Sequence, residues 1–317
     1  MSLQPNVKQF IKDTLQSMAE NPGKPLLEWS IEEYRNAMKP VTAMSLKPKH
    51  ENAKWIELPS KEAHKIPVRV TYPDHFDKTR HYPSVLFFQG GGFCHDFKDY
   101  HYELCERIAK QSDCIVFDIM FRLAPEHKYP AQLNDGVSAL RELVNHAERF
   151  NIDTSKIILS GYSAGAGLAT ALATIARDQN IPILEQILVS PVVDFSDSLN
   201  SHRELEQEER MILGPDAFNW CIKCCLDDAA HAKDPSFSPY FNDRLSGIAP
   251  VTLIIAEHEF LRSQGEAYAE KLEQHHVPVK KIIVEGQIHN YIMTRGALDE
   301  GVDPTDTIIQ RLNELFC

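Results

Sequence analysis

The pattern of hydrophobic positions changes along this chain near Pro48. Residues 1–50 are polar, with apolar residues at helical spacing, whereas short β-branched runs alternate with helical segments in the rest of the chain. Such alternation predicts an α/β fold with a mostly parallel sheet covered by helices on both faces. Eight strands are predicted, at Lys54–Leu58, Val68–Tyr72, Ser84–Phe88, Ile115–Ile119, Lys156–Ser160, Gln186–Ser190, Val251–Ala256 and Lys281–Val284. The clearest helices are predicted at Glu103–Lys110, Ala131–Phe150, Ala164–Arg177, Gln264–His276 and Thr305–Phe316.

One interval, residues 195–239, interrupts this alternation. It contains no convincing strand, and a charged run at Arg203–Arg210 leads to an apolar helix at Phe218–Leu226. An insertion of this length between two strands is typical of a lid or subdomain. We therefore expect an α/β core formed by residues 50–194 and 240–317, and a helical cap formed by residues 1–49 and 195–239.

Charge and composition argue against a nucleic-acid partner and a membrane span. The formal net charge is −12, so the protein repels phosphate backbones and anionic lipids, and no nucleic-acid partner is expected. No run approaches the roughly 18 apolar residues that span a bilayer. The N-terminus lacks the apolar core of a signal peptide, which indicates a cytoplasmic location.

The seven cysteines predict free thiols in a reducing compartment. An exposed edge of the sheet could support a homodimer.

The segment Gly161–Gly165 matches G-x-S-x-G, with Ser163 at its centre. It follows an apolar strand and opens an alanine-rich helix, which is the context of a nucleophilic serine on a strand-to-helix turn. Small neighbours relieve crowding at such a turn, and the helix N-terminus directs free N–H groups at the reacting carbonyl. The alternative is a glycine-rich turn that only packs the helix onto the sheet. The strand and helix context favours Ser163 as a nucleophile.

Three consecutive glycines, Gly90–Gly92, follow the strand that ends at Phe88. Glycines let a backbone approach a ligand closely and direct N–H groups at it. An acyl-transfer enzyme needs such donors at the developing oxyanion, each worth about 3 kcal/mol. The predicted donors are the N–H groups of Gly91, Gly92 and Ala164, and the alternative is an ordinary flexible loop. A phosphate-binding loop is excluded because the chain contains neither G-x-x-x-x-G-K-[ST] nor G-x-G-x-x-G.

These two motifs and a third block resemble the hormone-sensitive-lipase family of α/β-hydrolases. The third block runs from Phe121 to Glu126 and continues to Tyr129-Pro130-Ala131 and Asp135. It is similar to the family's Tyr-Arg-Leu-Ala-Pro-Glu signature, which is long and unusual, so the match is specific. The resemblance extends from about Glu32 to the C-terminus. It implies an α/β-hydrolase fold with a helical cap.

The resemblance also implies an activity. It points to a carboxylesterase that hydrolyses small-molecule esters with short-to-medium acyl chains through an acyl-enzyme intermediate, without a metal or cofactor. Two other functions stay open. One is a non-catalytic, receptor-like protein that binds a small molecule, although retention of His289 opposes it. The other is an amidase or peptidase that uses the same residues.

The family pattern places an acid after the strand Val251–Ala256 and a histidine near the C-terminus, in the chain order serine, acid, histidine. Glu259 takes the place of the acid, and Glu257 is the alternative. His289 takes the place of the histidine that accepts the Ser163 proton and returns it to the leaving alkoxide. The resemblance gives Glu259 the role of orienting the imidazole and stabilising its cation.

Four positions depart from the family pattern. Gln89 replaces the histidine before the glycines, and Tyr162 replaces an acidic residue beside the serine. Phe121 replaces a tyrosine and Glu259 replaces an aspartate. None of these changes removes a reacting group, and the Gln89 amide is expected to hold the glycine loop in an altered conformation.

The cap is expected to shape an acyl or alcohol pocket from apolar side chains. The residues chosen for the pocket are Phe93, Tyr162, Met211, Phe218 and Trp220.

No metal ligands are predicted. His258-Glu259 begins like the zinc motif H-E-x-x-H, but Arg262 stands where the second histidine is needed. Three cysteines, Cys221, Cys224 and Cys225, share a helical face and are expected to pack rather than bind a metal ion. Cys94, beside the glycines, is also expected to pack, with a reactive thiol as the alternative.

Overall fold

An eight-stranded sheet organises the part of the chain that the structure describes. The computed structural model describes residues 3, 5–20, 23–96, 98–196, 198–199, 213–295 and 305–317. The strands are β1 (Ala53–Pro59), β2 (Lys65–Thr71), β3 (Tyr82–Phe88), β4 (Ile115–Ile119), β5 (Ile152–Tyr162), β6 (Glu185–Val189), β7 (Val251–His258) and β8 (Val279–Ile288). Their order across the sheet is β1-β2-β4-β3-β5-β6-β7-β8. The pairs β1–β2 and β2–β4 are antiparallel and the others are parallel.

Helices pack against both faces of the sheet. The α-helices among the described residues are α1 (Pro5–Glu20), α2 (Ile31–Ala37), α3 (Lys39–Ala43), α4 (Lys98–Gln111), α5 (Ala131–Asn145), α6 (Ala147–Phe150), α7 (Ala164–Asp178), α8 (Pro215–Cys225), α9 (Arg262–Gln274) and α10 (Asp306–Phe316). Apolar residues of α4 and α10 join one core cluster, and those of α5, α7 and α9 join the other. The sheet therefore lies between two helical layers.

Strand β4 shows why the central strands are apolar throughout. Val116 packs into the core on the α4 side, whereas Ile115 and Phe117 pack into the core on the α7 side. Successive side chains of a strand point to opposite faces, so a strand covered on both faces needs apolar residues at consecutive positions. The apolar runs of the sequence thus correspond to strands buried on both sides.

The predicted fold class is confirmed: the sheet is mostly parallel, has eight strands and is covered on both faces. Each predicted strand coincides with or overlaps an observed one. The helix predicted over residues 131–150 is instead two helices, α5 and α6. They are separated by His146, whose φ of −119° and ψ of 33° depart from helical geometry.

The segments predicted for the cap pack against one another. Trp220 on α8 stacks on Tyr34 of α2 with ring centroids 4.3 Å apart. Its indole N–H donates to the Trp29 carbonyl at 3.1 Å. The charged run Arg203–Arg210 lies outside the described residues. The division of the chain into core and cap stays a prediction.

Candidate active site

Ser163, Glu259 and His289 meet at the carboxyl edge of the sheet. Ser163 follows β5, Glu259 follows β7 and His289 follows β8. In the sheet, β3 lies between β4 and β5, so the chain connects β3 to a neighbour on one side and later returns to its other side. Ligands of open α/β sheets bind at such a switch point, beyond the carboxyl ends of the strands. All three side chains are largely buried there.

Ser163 occupies a strained turn between β5 and α7. Its φ of 56° is uncommon for a non-glycine residue. A Cβ on Gly161 would lie 2.5 Å from the Gly165 carbonyl oxygen, and a Cβ on Gly165 would lie 2.1 Å from the Phe88 carbonyl oxygen. Glycine is therefore required on both sides of the serine. The turn holds the serine side chain at the carboxyl edge of the sheet.

A chain of hydrogen bonds links the three side chains. Ser163 Oγ lies 3.1 Å from His289 Nε2, and Glu259 Oε2 lies 2.6 Å from His289 Nδ1. Glu259 Oε1 also accepts the backbone N–H of Ala256 at 3.0 Å, which anchors the carboxylate to β7. The carboxylate orients the imidazole so that Nε2 faces the serine. This geometry lets His289 accept the serine proton.

Glu257, the alternative acid, is engaged elsewhere. Its Oε2 accepts the backbone N–H of Gly286 at 2.8 Å and lies 3.5 Å from His258 Nε2. These contacts hold the chain just before His289. The geometry favours Glu259 as the partner of the imidazole.

The predicted oxyanion donors lie beside Ser163. Gly91 and Gly92 line the same cavity as Ser163, and both have positive φ values, 111° and 59°. Helix α7 begins at Ala164, so the Ala164 N–H belongs to a first turn that lacks intrahelical acceptors. These N–H groups can donate hydrogen bonds to the negative charge that develops on the substrate carbonyl oxygen.

Arg35, which the sequence did not predict for the site, ties helix α2 to the glycine loop. Its Nε–H donates to the Cys94 carbonyl at 2.9 Å, and its Nη groups donate to both carboxylate oxygens of Glu126 at 2.6 and 2.9 Å. A bidentate pair of this kind fixes geometry as well as charge. The only sequence signal for this contact was Glu126, an acid in the family block that needed a cationic partner.

The glycine loop is also held by Tyr100, whose hydroxyl accepts the Gly90 N–H at 2.9 Å. Gln89 was expected to hold the loop through its amide. That side chain is buried, and its Oε1 has no hydrogen-bond partner in the part of the chain that the structure describes. The expectation is therefore not met for this oxygen, because the neighbouring backbone is already bonded to Tyr100.

Tyr162 supports the histidine directly. Its hydroxyl donates to the His289 carbonyl at 2.7 Å, and its ring stacks on the imidazole with centroids 5.2 Å apart. Burial raises the pKa of Tyr162 well above its ordinary value, so the hydroxyl stays protonated and can donate. The residue was predicted to contact substrate, and the structure adds this second contact with His289.

Tyr162→Phe is expected to destabilise the fold by about 1 kcal/mol, because it leaves the His289 carbonyl without its donor. It is expected to lower kcat several-fold at nearly constant KM, because the imidazole loses part of its support. Urea unfolding and steady-state kinetics measure both. Tyr268→Phe is the matched control, since it removes a buried hydroxyl that is hydrogen-bonded to Thr170 Oγ1 at 2.8 Å. An equal fall of kcat in both variants would refute a specific role of Tyr162.

The cavity at Ser163 measures about 60 Å³. Its lining is mainly apolar and comprises Tyr34, Met38, Gly91, Gly92, Tyr162, Ser163, Val192, Phe195, Leu213, Phe218, Cys221, His289, Asn290 and Met293. Of the residues predicted for the pocket, Tyr162 and Phe218 line it. A larger open depression of about 460 Å³, bordered by Lys61 and Arg141, contains none of the three hydrogen-bonded residues.

Two residues predicted for the pocket lie elsewhere. Phe93 packs among Phe121, Phe195 and Phe237 with ring centroids about 6 Å apart, behind the cavity wall. Trp220 is occupied by its contacts with Tyr34 and Trp29. Met211 lies outside the described residues.

A buried charged cluster lies behind the glycine loop. His101 on α4 has Nδ1 2.6 Å from Asp118 Oδ2 and Nε2 3.4 Å from Asp96 Oδ1. Burial alone lowers the pKa of His101, but the two carboxylates outweigh burial and raise it to about 9. The protonated imidazole joins α4 to β4 beneath the loop.

Folding stability is expected to depend on His101 between about pH 6.5 and 9. The folded state keeps the His101 proton up to a pKa of about 9, whereas the unfolded chain releases it near 6.5. The resulting stabilisation is complete below pH 6.5 and is lost as pH rises through 9. Urea unfolding between pH 6 and 10 should show this slope in the wild type and in the exposed control His81→Gln. A slope of the same size in His101→Gln would contradict the assignment.

Within the described ranges, no group of three or more His, Cys, Asp or Glu side chains is arranged to bind a metal ion.

A family model described as α/β hydrolase fold matches residues 85–293, which is more than half of the chain. The chain belongs to the hormone-sensitive-lipase-like family of α/β-hydrolases. This confirms the resemblance seen in the sequence and the α/β-hydrolase fold.

Several relatives of this α/β-hydrolase are known. A carboxylesterase of Mycobacterium tuberculosis is 33% identical over 232 residues, covering 72% of this chain and 71% of that protein. An ethyl acetate hydrolase of Pseudomonas putida is 29% identical over 262 residues, covering 82% and 81%. The solved structure of a hyperthermophilic esterase from the archaeon Pyrobaculum calidifontis matches with a TM-score of 0.86 at 28% identity, covering 99% of each chain.

Proposed function

We propose that the protein is a carboxylesterase that uses Ser163 as nucleophile, His289 as general base and acid, and Glu259 as the acid of the triad. The observation that carries the proposal is the continuous hydrogen-bonded chain from Glu259 through His289 to Ser163. A buried carboxylate, an oriented imidazole and a serine on a strained turn are the groups that ester hydrolysis needs.

The mechanism follows from these positions. His289 Nε2 takes the Ser163 proton as Oγ attacks the ester carbonyl, and Glu259 stabilises the imidazolium that forms. The N–H groups of Gly91, Gly92 and Ala164 donate hydrogen bonds that stabilise the oxyanion. The imidazolium gives its proton to the leaving alkoxide, which departs and leaves an acyl-enzyme. A water molecule, deprotonated by the same imidazole, then attacks the acyl-enzyme and releases the carboxylic acid.

The family and the relatives support ester chemistry. The enzyme class predicted from the sequence, a carboxylic ester hydrolase, is confirmed by the family and by the esterases among its relatives. The relatives named for ethyl acetate hydrolysis and carboxylesterase activity favour small-molecule ester substrates for this chain too.

Short-to-medium acyl esters are the proposed substrates. Aromatic side chains, Phe195 and Phe218, stand in the cavity wall, and their rings stack with centroids 6.0 Å apart. Such a wall takes an apolar acyl group and leaves little room for a long chain. The receptor-like alternative is disfavoured by the complete serine–histidine–carboxylate chain.

Graded p-nitrophenyl esters test the proposal. The expected result is the highest kcat/KM on acetyl to hexanoyl esters and a steep fall for longer chains. The corresponding p-nitroanilides are expected to react far more slowly, because an anilide is a weaker acyl donor. Binding of an ester without turnover would support the receptor-like alternative, and faster anilide hydrolysis would support the amidase alternative.

Two other predictions from the sequence concern the cellular location and the oligomeric state of the enzyme. In the part of the chain that the structure covers, no helix combines the length and apolar character needed to cross a membrane. A cytoplasmic location and a homodimer stay predictions.

A further inference from the structure

Tyr100 contacts the start of the glycine loop, and the proposed ester mechanism does not use it. The residue lies in the first turn of α4, and only 2% of it is exposed. Its hydroxyl accepts the backbone N–H of Gly90 at 2.9 Å. Burial raises the pKa of Tyr100 well above its ordinary value, so the hydroxyl stays neutral. Gly90 directly precedes the two glycines that are predicted to supply oxyanion donors.

The peptide unit that joins Gln89 to Gly90 is held on both sides. A trans peptide directs its carbonyl and its N–H in opposite directions. Helix α7 lies against the carbonyl, since a Cβ on Gly165 would come within 2.3 Å of the Gln89 carbonyl oxygen. The Tyr100 hydroxyl lies against the N–H. Together, these two contacts set the distance between the glycine loop and the turn that carries Ser163.

A third contact closes the space around Gly90. A Cβ on Gly90 would lie 2.5 Å from Cδ1 of Tyr162, so the loop backbone packs directly against that ring. The rings of Tyr100 and Tyr162 meet edge to face with centroids 5.8 Å apart. Tyr162 in turn stacks on His289. The two tyrosines therefore form one packed unit between the glycine loop and the imidazole.

The first turn of α4 is anchored to the sheet, which fixes the position of Tyr100. His101, the next residue, has Nδ1 2.6 Å from Asp118 Oδ2 on β4. Both of these side chains are fully buried. A buried pair of this kind restrains the helix against the strand, so the tyrosine hydroxyl has little freedom to follow a moving loop.

The far end of the glycine loop has backbone hydrogen bonds of its own. The Gly91 carbonyl accepts the N–H groups of Cys94 and His95 at 2.9 and 3.0 Å. At the near end, the Gly90 N–H is bonded to a side chain instead, that of Tyr100. The near end is therefore the part of the loop whose position depends on one side-chain hydroxyl.

We propose that Tyr100 is a positioning residue of the ester reaction. Its hydroxyl holds the Gln89–Gly90 peptide so that the N–H groups of Gly91 and Gly92 point at the oxyanion. The role rests on the proposed esterase function. An oxyanion donor acts fully only at about 2.7–3.1 Å from the oxygen of the transition state. A small displacement of the loop therefore slows the reaction more than it weakens substrate binding.

Tyr100→Phe tests the role, because it removes the hydroxyl and keeps the ring. The Gly90 N–H loses its acceptor, and the loop can shift. Deleting an oxyanion donor commonly lowers kcat by about 10²-fold or more, and a displaced donor should lose less. We expect kcat for p-nitrophenyl acetate to fall about 10-fold, with KM within about two-fold of the wild-type value.

Two ketones separate the transition state from the ground state. A trifluoromethyl ketone forms a hemiketal with the nucleophilic serine and places an oxyanion beside the donors. Its inhibition constant should rise about 10-fold in Tyr100→Phe, in parallel with the fall of kcat. The corresponding methyl ketone binds without forming a stable hemiketal, so its inhibition constant should stay unchanged.

Tyr82→Phe is the matched control. Tyr82 is fully buried at the start of β3, whereas the glycine loop follows the other end of the same strand. Its hydroxyl accepts the backbone N–H of Asp77 at 2.8 Å, so the substitution again leaves a backbone N–H without its acceptor. We expect both variants to lose stability in urea unfolding, and Tyr82→Phe to keep its kcat and both inhibition constants.

The positioning role is wrong if Tyr100→Phe keeps the wild-type kcat, if both tyrosine variants lose kcat equally, or if both ketones bind more weakly by the same factor. Partial misfolding alone does not produce the expected result, because KM and an inhibition constant do not depend on the amount of active protein. If the wild type hydrolyses no ester, the proposed esterase function fails and the role falls with it. An active wild type with an unimpaired Tyr100→Phe variant would overturn the role and leave the esterase function in place.

Discussion

Ser163→Ala is expected to lower kcat for p-nitrophenyl acetate by about 10⁶-fold. The substitution removes the oxygen that is proposed to form the acyl-enzyme, so His289 would have no nucleophile proton to accept. The remaining oxyanion donors and the binding pocket can still accelerate hydrolysis by about 10³-fold over water. Stopped-flow and long-time-course assays of the two proteins measure the ratio.

Ser160→Ala is the matched control for this loss. Ser160 is also buried on β5, and its hydroxyl donates to the Ile187 carbonyl at 2.9 Å instead of facing His289. We expect this variant to lose about 1 kcal/mol of stability and to keep its kcat. Near wild-type activity of Ser163→Ala would remove Ser163 from the mechanism.

Glu259→Gln is expected to lower kcat by about 10⁴-fold with little change of KM. The amide has nearly the shape of the carboxylate, so it can still accept the Ala256 N–H. It loses the negative charge that stabilises the imidazolium, and its NH₂ group can face His289 Nδ1 and favour the wrong tautomer. Steady-state kinetics and the pH profile of kcat measure the effect.

Glu257→Gln supplies the comparison for the second acid. Its contact with the Gly286 N–H survives the substitution, because the amide oxygen accepts in the same way. We expect kcat within a few-fold of the wild type. If Glu257→Gln lost most of the activity and Glu259→Gln did not, the two roles would have to be exchanged.

The central strands could be predicted from the sequence because their burial on both faces demands consecutive apolar residues. The edge strand β8 was predicted only over Lys281–Val284, yet it runs from Val279 to Ile288. Apart from the buried Ile288, its remaining residues are polar, glycine or half-exposed, so pairing with β7 rather than an apolar pattern determines its length. That extension matters to the site, because it brings His289 to the carboxyl edge of the sheet.

The contacts that support the site could not be predicted in the same way. Arg35 bonds Cys94 and Glu126, which lie 59 and 91 positions away in the sequence. No local pattern specifies a partner at such a separation. The hydroxyl of Tyr162 is a similar case, since its acceptor is the backbone carbonyl of His289. Every residue has a backbone carbonyl, so the sequence does not indicate which one accepts.

The hydrophobicity of a residue was not enough to predict which side chains line the pocket. Phe93 and Trp220 are apolar and buried, as the sequence implied, but both pack behind or beside the cavity. Hydrophobicity predicts burial, whereas the direction of a side chain depends on its neighbours in the fold. Phe195 lines the cavity, although its hydrophobicity alone did not mark it as a pocket residue.

In the proposed mechanism, His289 and Glu259 activate Ser163 as the nucleophile. A fluorophosphonate reacts covalently with such a serine, so peptide mass spectrometry after brief labelling is the most direct measurement. We expect one phosphonylated peptide, with the adduct on Ser163, and strongly reduced labelling in Glu259→Gln. Labelling of another residue, or undiminished labelling of Ser163→Ala, would contradict the role of Ser163 as the nucleophile.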